Sequence, residues 1–477
     1  MADTKVTTPP KAGLETLLPK RGRVSPALFV LLGFLGVVIL GSAQIYYFTR
    51  LDPTASGMTR GIYMLTVVFS TSVLFFATVS GIRYFLMMLA AYLGWNRAQA
   101  RRLSSMDYWP RVSVLVPAYN ESTRVLHALE SVLQVDYHDL EIVVIDDGST
   151  DDTFDLACAF AGEHEGKTVR VLKKANAKKS SALNLGFHKC TGELIMCVDA
   201  DSILDVNSVK AMVRNFADPE LGGVAGQVRV RNRGNMITRL QALEYTMMNG
   251  MPRMAQSFFA SVLISPGPVS MFRRSALNDV WKASKKYGDR YESSNPARVD
   301  GPWEDDTFAE DADLTLNVLL TGSGVIYDSE AISYTAAPTW TFDLLNQRYR
   351  WFRGNLQAVR KVWRRWRKSP GAPSKLALWM GFFLVEAILW PFVNMYGMFM
   401  FVLLILTTGM VANTILITFC LLFLIDLNAA AFSISVENED RKLAILSPIL
   451  RIFYMTLLDV NSFFALLDEF RHKKMTW

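Results

Sequence analysis

Long apolar runs near the N-terminal end of this chain predict membrane-spanning helices. Ala27 to Phe48 is 22 residues without a charge, and Ile62 to Leu93 is interrupted only by Arg83. At 1.5 Å per residue, each run is long enough to cross the hydrocarbon core of a bilayer. The competing interpretation of the first run, a cleaved signal peptide, is disfavoured because the run is longer than a signal's apolar region. Residues 27–93 are therefore predicted to form two transmembrane helices.

A second apolar region covers residues 376–467 and predicts about three more transmembrane helices. Its runs are Leu376 to Leu406, Val411 to Leu427 and Ala444 to Leu467. The first run contains Glu386 and Pro391 and is too long for one upright span, so a kinked or tilted helix is predicted. A basic tail, residues 468–477, follows the last run and favours the cytoplasm. Five spans would place that tail outside, so an interfacial or re-entrant last segment remains open.

Residues 110–345 have the alternating texture of a soluble α/β domain. Short apolar runs such as Val112 to Val116 and Leu194 to Val198 predict strands, and stretches such as Ser122 to Gln134 predict helices. This order predicts βαβ units on a parallel sheet, where ligands collect at the carboxyl ends of the strands. An apparent insertion, residues 277–303, has two open interpretations: a lid or acceptor loop, or a surface excursion.

Basic residues cluster where the soluble domain meets the apolar regions. Within residues 346–375, the segment Gln357 to Lys368 puts two valines and two tryptophans on one face and six cations on the rest. This pattern predicts an amphipathic helix in the membrane interface. Further cations precede the first span, in the tail of residues 1–26, and follow the second at Arg97, Arg101 and Arg102. By the positive-inside tendency, both flanks and the soluble domain are predicted to be cytosolic.

Composition agrees with a membrane protein and removes nucleic acid as an expected partner. The chain is 51% apolar with a mean hydropathy of +0.19, which excludes the disordered and collagenous classes. Its net charge of +6 divides unevenly: residues 110–345 carry a net −9 and the remainder a net +15. The basic excess therefore belongs to the membrane regions, where it suits anionic lipid.

Carboxylates lie where the predicted strands end. Asp146 and Asp147 follow one apolar run, and Asp199 and Asp201 follow another. Two aspartates one residue apart point the same way from an extended chain and can share one Mg²⁺ or Mn²⁺, whose other ligands come from phosphate oxygens. A D-x-D pair alone is weak evidence, because solvated loop acids are common.

The ordered combination of motifs is far more specific than any one of them. The motifs are Pro117-Ala118-Tyr119-Asn120-Glu121, the DDGSTDDT run at 146–153, Asp199-Ala200-Asp201, Glu310-Asp311 and Gln347-Arg348-Tyr349-Arg350-Trp351. In this order and spacing the chain resembles the processive family 2 membrane glycosyltransferases, which include poly-N-acetylglucosamine, hyaluronan, chitin and cellulose synthases. The resemblance implies a GT-A-like α/β cytosolic domain joined to an α-helical transmembrane bundle.

The resemblance also implies a nucleotide site and a metal site. Tyr119, Glu121, Asp146, Asp147, Lys179 and Asp199 are the predicted nucleotide-binding residues. Asp201, with Asp199, is the predicted ligand of Mg²⁺ or Mn²⁺. Lys178 stands beside Lys179, so which of the two lysines reaches the nucleotide stays open, and a turn-forming role for Asp146, Asp147 and Asn184 is the competing interpretation.

Asp311 is the predicted catalytic base. Transfer with inversion needs a carboxylate that takes the proton of the acceptor hydroxyl, and Glu310 and Asp313 are the alternatives. Asp313 also fits a residue in the first turn of a helix, where the helix dipole favours a negative charge. Gln347, Arg350 and Trp351 are predicted to contact the acceptor and the diphosphate, because a guanidinium fits phosphate oxygens and an indole fits a sugar face.

These features and the resemblance together predict an inverting, processive EC 2.4.1 glycosyltransferase in a bacterial-type inner membrane. Its donor is predicted to be a UDP-sugar and its acceptor a growing β-linked polysaccharide, with membrane lipids around it and a homo-oligomer or an export partner compatible with the layout. The alternatives are transfer of one sugar to a lipid, and a transporter or receptor that only binds nucleotide. The charged residues Arg83, Glu386 and Asp459 inside the apolar runs are candidates to line a polymer channel, and snorkelling near a helix end is the alternative for Arg83.

Overall fold

A computed structural model describes most of the chain. The described residues are 25–49, 60–103, 107–287, 295–407 and 412–473. Within them, one nine-stranded sheet forms the centre of the soluble domain, in the order β3-β4-β2-β1-β5-β8-β7-β9-β6. The strands are β1 (Val112–Ala118), β2 (Leu140–Asp146), β3 (Gly162–His164), β4 (Lys167–Lys173), β5 (Leu194–Cys197), β6 (Ile203–Leu204), β7 (Leu221–Val230), β8 (Ser270–Arg273) and β9 (Gly324–Thr335).

The sheet is mixed. The predicted parallel sheet is confirmed for its first half, strands β4, β2, β1 and β5, but not for the whole sheet. Strands β4, β2, β1 and β5 run parallel, whereas β8 runs antiparallel to both β5 and β7. The chain between β7 and β8, residues 231–269, is largely helical, and β8 then pairs with both of its neighbours in the opposite direction. The carboxyl ends of β1, β2 and β5 still meet at one edge, as the prediction requires.

Both faces of the sheet are covered, so its strands are apolar on both sides. Along β1, Val114 packs with one buried cluster and Leu115 with the other, as the period of two in a strand requires. The helices of the soluble domain are α3 (Val125–Leu133), α4 (Thr153–Cys158), α5 (Lys178–Lys189), α6 (Ser208–Val213), α7 (Met236–Glu244), α8 (Met251–Ser257), α9 (Arg274–Tyr287) and α10 (Glu310–Leu320). The apparent insertion begins as α9 and rejoins the domain from residue 295 onward; residues 288–294 lie outside the described part.

Two apolar helices precede the soluble domain, α1 (Pro26–Thr49) and α2 (Arg60–Leu103). At 1.5 Å per residue α2 is about 66 Å long, so it exceeds a bilayer core and extends along the soluble domain. Gly94 packs directly against the carbonyl group of Met254, where a larger residue would clash. Near its end, Arg102 pairs with the buried Asp328 at 3.2 Å. The second helix is therefore long and apolar enough to cross a membrane, and it also packs against the soluble domain.

A long helix, α11 (Thr341–Arg367), leads from the soluble domain to the C-terminal apolar helices. These are α12 (Ser374–Leu384), α13 (Trp390–Thr407), α14 (Ala412–Glu437), α15 (Ser447–Ile449) and α16 (Thr456–Phe470). One π-helical turn, Val385–Leu389, joins α12 to α13 without a break. Proline 391 follows it and has no N–H to donate, which accounts for the irregular turn.

Four described helical segments are long and apolar enough to cross a membrane. They are Pro26–Ala43, Val67–Leu103, Ser374–Met400 and Arg441–Phe470. The predicted run Val411 to Leu427 falls on α14, whose first side chains lie outside the described part. Among the charged residues of the apolar helices, Arg83 donates to Glu386 at 2.8 Å, Arg451 donates to Asp426 at 2.7 Å, and Asp459 accepts from Asn394 at 3.1 Å.

The last apolar segment, residues 439–470, contacts the soluble domain and α11 along its length. Glu439 pairs with Arg233 at 2.8 Å at the start of the segment, and Glu469 pairs with Arg353 at 2.9 Å at its end. Irregular turns interrupt it at Arg441–Leu446 and Leu450–Met455. Both ends therefore lie against the catalytic side of the molecule.

Candidate active site

Residues from four elements meet at the carboxyl ends of the parallel strands. The loops after β1 and β2 are tied together, because the amide of Thr150 donates to the side chain of Asn120 at 2.9 Å. Asn120 adopts a left-handed conformation with φ 55°, which asparagine tolerates better than most residues. Tyr119, next to it, is 48% exposed, so its ring is free to stack on a nucleotide base.

Asp146 and Asp147 are buried and have partners within the protein. The carboxylate of Asp146 accepts from the amide of Ser149 at 3.3 Å. Asp147 accepts from Lys174 at 2.6 Å and from the amide of Ala177 at 3.1 Å, which fixes the loop before α5. These contacts favour a structural role for Asp147, and nucleotide contact by either aspartate stays a prediction.

Lys179 connects the two acidic motifs. Its ammonium group donates to Asp199 at 2.6 Å and pairs with Glu310 at 3.1 Å. Gly267 leaves room for this contact, since a Cβ there would lie 3.0 Å from the ammonium nitrogen. Lys178 is exposed and turned away. The geometry therefore identifies Lys179 as the lysine that points into the site.

Burial and charge separate the pKa values of the site. Burial raises the pKa of Asp199, and Lys179 opposes the rise. Burial would lower the pKa of Lys179, but Asp199 and Glu310 raise it well above its usual value. The pKa of Glu310 is lowered against the effect of burial, mainly by Lys179. Burial and then the negative charge of Glu310 raise the pKa of Asp311 to about 6.

Asp311 is the least paired of the three candidate bases among the described residues, and its role as the base stays a prediction. Its carboxylate accepts from the amide of Ala312 at 2.8 Å and forms no ion pair within the described residues. Glu310 is already paired with Lys179. Asp313 is buried and accepts from Lys361 on α11 at 2.8 Å, so it serves the packing of two helices.

The side chains after β5 fit a divalent cation. Asp201 is partly exposed, accepts from Ser202 at 3.2 Å and lies 3.8 Å from Arg124, a loose ion pair. Burial raises the pKa of nearby Glu121, Arg124 opposes the rise, and the charge of Asp201 adds to it. A carboxylate donor set of this kind suits Mg²⁺ or Mn²⁺. Asp199 is close enough to contribute, although Lys179 already holds one of its oxygens.

A second acidic cluster does not form a metal site. Glu304, Asp306 and Asp313 bring their oxygens within 4.8 Å of one another. Lys361 pairs with all three at 2.5–2.8 Å, and the buried Arg365 pairs with Glu304 at 2.9 Å. Two of the six cations on the polar face of the predicted amphipathic helix therefore pair with the soluble domain. The sequence pattern did not specify these partners, because helical periodicity does not reveal acidic residues distant in sequence.

Helix α11 brings the Q-x-x-R-W motif beside the carboxylates. The positive charge of Arg350 lowers the pKa of Glu310, after the larger effect of Lys179. Trp351 packs on Tyr245 with ring centroids 6.3 Å apart. Gln347 accepts a hydrogen bond from Arg348. Arg350 and Trp351 thus border the site, and their predicted contacts with acceptor and diphosphate stay predictions.

Sequence reasoning missed the supporting contacts of several residues in this site. Asn184, considered there as a turn former, lies in α5 and binds the backbone of Val299 and Trp303, at 2.9 and 2.8 Å, and so holds the segment before Glu310 and Asp311 against α5. Glu244 and Arg348 form a buried ion pair behind Trp351. Arg348 is one of several arginines in its segment, so the sequence does not identify Glu244 as its partner.

Comparison with known proteins identifies the soluble domain. Residues 113–281 match the model of glycosyl transferase family 2. The chain carries a family 2 glycosyltransferase domain. The match covers β1, the D-x-D motif and the strand β8, and Glu310, Asp311 and α11 follow it. The predicted family 2 domain and the predicted fold class are confirmed.

Curated relatives of this family 2 domain are polysaccharide synthases. The chain is 30% identical over 285 residues to the poly-beta-1,6-N-acetyl-D-glucosamine synthase of Staphylococcus epidermidis, which covers 59% of this chain and 63% of that protein. It is 28% identical over 256 residues to the enzyme of the same name from Staphylococcus aureus strain COL, covering 54% and 57%. The chain thus spans about three-fifths of the length of these relatives.

A solved structure supports the fold of the family 2 domain. The mannosyltransferase of Pyrobaculum calidifontis, in complex with GDP-Man and Mn²⁺, superposes with a TM-score of 0.53 and 19% sequence identity. The match covers 85% of this chain and the whole of that protein. At this identity the likeness establishes the GT-A-like fold.

The ion pairs of Lys179 predict a pH-dependent loss of stability in Lys179→Met. Without the ammonium group, Asp199 and Glu310 repel each other while ionised, and protonation relieves that repulsion. Loss of these partly exposed ion pairs should lower the free energy of unfolding by about 2 kcal/mol at pH 8, which lowers the melting temperature by about 4–8 °C. At pH 5 the melting temperature should fall by less. Thermal unfolding in detergent measures this difference.

The matched control is Lys178→Met, which removes an exposed neighbouring lysine. It should change the melting temperature little at either pH. An equal loss for Lys179→Met at both pH values would show that packing, and not the pairing of carboxylates, explains the effect.

Proposed function

We propose that the protein is an inverting, processive glycosyltransferase that polymerises a β-linked polysaccharide from a UDP-sugar and passes it across the membrane. The observation that carries this proposal is the grouping of Lys179, Asp199, Glu310 and Asp311 beside the Q-x-x-R-W helix. The names of the curated relatives make UDP-N-acetylglucosamine the first donor to test and a β-1,6-linked polymer the first product.

In the proposed reaction, Asp311 takes the proton of the acceptor hydroxyl. The acceptor oxygen then bonds to the anomeric carbon of the donor on the face opposite the diphosphate, and the bond from that carbon to UDP breaks with its electron pair. The raised pKa of Asp311, about 6, makes it a stronger base than an ordinary carboxylate while leaving it mostly ionised at pH 7. The charge of Glu310 beside it maintains that raised value.

The departing diphosphate needs positive charge, which the chain supplies from two sides. Lys179 lies between the D-x-D motif and Glu310, and Arg350 approaches from α11. A divalent cation held by Asp201, with Asp199, would add charge at the diphosphate oxygens. Tyr119 is placed to stack on the base, and Trp351 to cover the sugar at the acceptor end.

The proposed membrane arrangement puts the catalytic domain in the cytosol of a bacterial-type inner membrane, where UDP-sugars are available. Helices α1, α2, α12–α13 and α14 would cross the bilayer. The last segment, residues 439–470, would enter and return on the catalytic side, because both of its ends pair with residues of that side. Such a re-entrant segment reconciles the basic tail with a cytosolic end.

The proposed activity predicts polymer formation from a single donor. Purified protein in detergent with Mg²⁺ or Mn²⁺ should convert UDP-N-acetylglucosamine into a product that a β-1,6-hexosaminidase degrades, and excess chelator should abolish turnover. Incubation with UDP-glucose and UDP-glucuronate, singly and paired, tests donor choice. A single sugar on a lipid would replace the processive assignment, and nucleotide binding without transfer would replace the enzymatic one.

The base role of Asp311 predicts at least a ~10³-fold loss of transfer in Asp311→Asn with UDP binding retained, since general-base catalysis is worth about 10²–10⁴. Asp306→Asn is the matched control, because Asp306 is an exposed acid of the same segment paired only with Lys361. Its transfer rate should stay within a few-fold of the wild type. Transfer that survives Asp311→Asn would remove the base assignment.

The same carboxyl predicts the acid limb of the pH profile. The ionised form of Asp311 is the active one, so kcat/KM should fall as pH decreases through about 6. Glu310→Gln removes the negative charge that raises the Asp311 pKa, so its acid limb should move to lower pH. A limb that stays in place would mean that another group controls the profile.

The proposed topology predicts that Lys442 and His472 lie on one side of the membrane. Each is exposed and can be changed to Cys after replacing the two exposed native cysteines, Cys158 and Cys420, by Ser. In intact cells both introduced cysteines should be protected from a membrane-impermeant maleimide and should react after lysis. Cys158 of the catalytic domain, in the protein that retains it, should show the same protection and is the reference. Labelling of only one position in intact cells would establish a full crossing instead.

A further inference from the structure

A buried ion pair lies directly behind the Q-x-x-R-W motif. Arg348, on α11, donates to both oxygens of Glu244, at the end of α7, over 2.9 and 2.7 Å. Both side chains are more than nine-tenths buried. A bidentate pair of this kind fixes the plane of the guanidinium group as well as its position.

The membrane part of the chain contributes a third member. Tyr454, in the last apolar segment, donates its hydroxyl to Glu244 at 2.5 Å. Its ring is 4% exposed. Glu244 therefore accepts from α11 and from the terminal membrane segment at once, and it links the two.

The fixed guanidinium plane supports the indole of the motif. The Arg348 cation lies 4.4 Å from the ring centroid of Trp351 and 5.4 Å from that of Tyr245. Tyr245 follows Glu244 in the chain, so one end of α7 supplies both the carboxylate and the second ring. Glu244 thus binds the guanidinium group of Arg348, and the same guanidinium group packs on the indole of Trp351.

A neighbouring pair on the same helix differs in one respect. Arg353 is also buried and pairs with Glu469 of the terminal segment at 2.9 Å. Its cation lies 5.6 Å from the ring centroid of Tyr349 and, within the described part of the chain, forms no cation–π contact with Trp351. It therefore joins α11 to the same membrane segment without supporting the indole.

We propose that Glu244 and Arg348, braced by Tyr454, are positioning residues that hold Trp351 in register with the sugar at the acceptor end. This inference rests on the proposed function, in which Trp351 contacts the growing polymer. An indole fixed at one distance from Asp311 keeps each newly added sugar in the place from which the next transfer starts. Loosening it releases the polymer early and shortens the product.

The test compares conservative variants of the two pairs. Arg348→Lys keeps the charge but loses the planar fork and the stacked surface, and Glu244→Gln keeps the shape but loses the charge. Arg353→Lys and Glu469→Gln are the matched controls. Product length, kcat and donor KM are measured with UDP-N-acetylglucosamine, and melting temperatures measure the structural cost of each change.

The proposal expects Arg348→Lys and Glu244→Gln to shorten the mean product at least fivefold and to lower kcat about tenfold, with donor KM within twofold of the wild type. Tyr454→Phe should shorten the product by a smaller factor. The controls should keep the product length even where they lose as many degrees of melting temperature. Equal shortening by both pairs at equal thermal loss would reduce the role of Arg348 to packing.

A second measurement does not depend on transfer and separates failure of the inference from failure of the proposed function. Hydroxyl-radical footprinting with mass spectrometry reports the accessibility of the Trp351 indole. Oxidation of Trp351 should rise at least threefold in Arg348→Lys and stay unchanged in Arg353→Lys. Unchanged oxidation in Arg348→Lys overturns the positioning role, even if no donor tested is a substrate.

Discussion

The candidate site depends on the ion pairs that the ammonium group of Lys179 forms with Asp199 and Glu310. Asp199 and Glu310 come from distant parts of the chain, and Asp311 adds a third carboxylate beside them. Carboxylates gathered in a desolvated space repel one another and protonate unless a cation offsets them. Lys179 pairs with Asp199 and Glu310 but not with Asp311. Glu310 therefore stays ionised, while burial and the charge of Glu310 raise the pKa of Asp311. One cation thereby lets neighbouring acids take different roles.

The parts of this site that sequence predicts are those encoded by local pattern. Asp199 and Asp201 follow a short apolar run, which predicts a strand. The residues after a strand lie where that strand ends, whichever strands pair with it. The antiparallel placement of β8 was missed, because it depends on pairing with β5 and β7, which lie far away in sequence. Helix α11 was predicted as amphipathic, but the partners of Lys361 and Arg365 were not predicted, since these acidic residues lie in another segment.

The charged residues of the apolar helices illustrate the same limit. Sequence presents Arg83 and Glu386 as isolated charges, each of which would be costly in a bilayer. The structure brings them together across about 300 residues of chain, with the cation also over the ring of Trp390 at 4.5 Å. Pairing removes much of the cost and joins α2 to the start of the C-terminal helices. A structural role accounts for these two side chains.

Helix α11 is where the acidic and basic halves of the chain meet. Its inner cations, Lys361 and Arg365, pair with the soluble domain, and Arg353 pairs with the terminal membrane segment. Breaking one buried pair by removing a partner costs about 3–5 kcal/mol, so sliding α11 past either neighbour would require several such losses together. In the proposed function, α11 would therefore act as a fixed frame, and any advance of the polymer past Trp351 would be accommodated by the polymer and the loops around it.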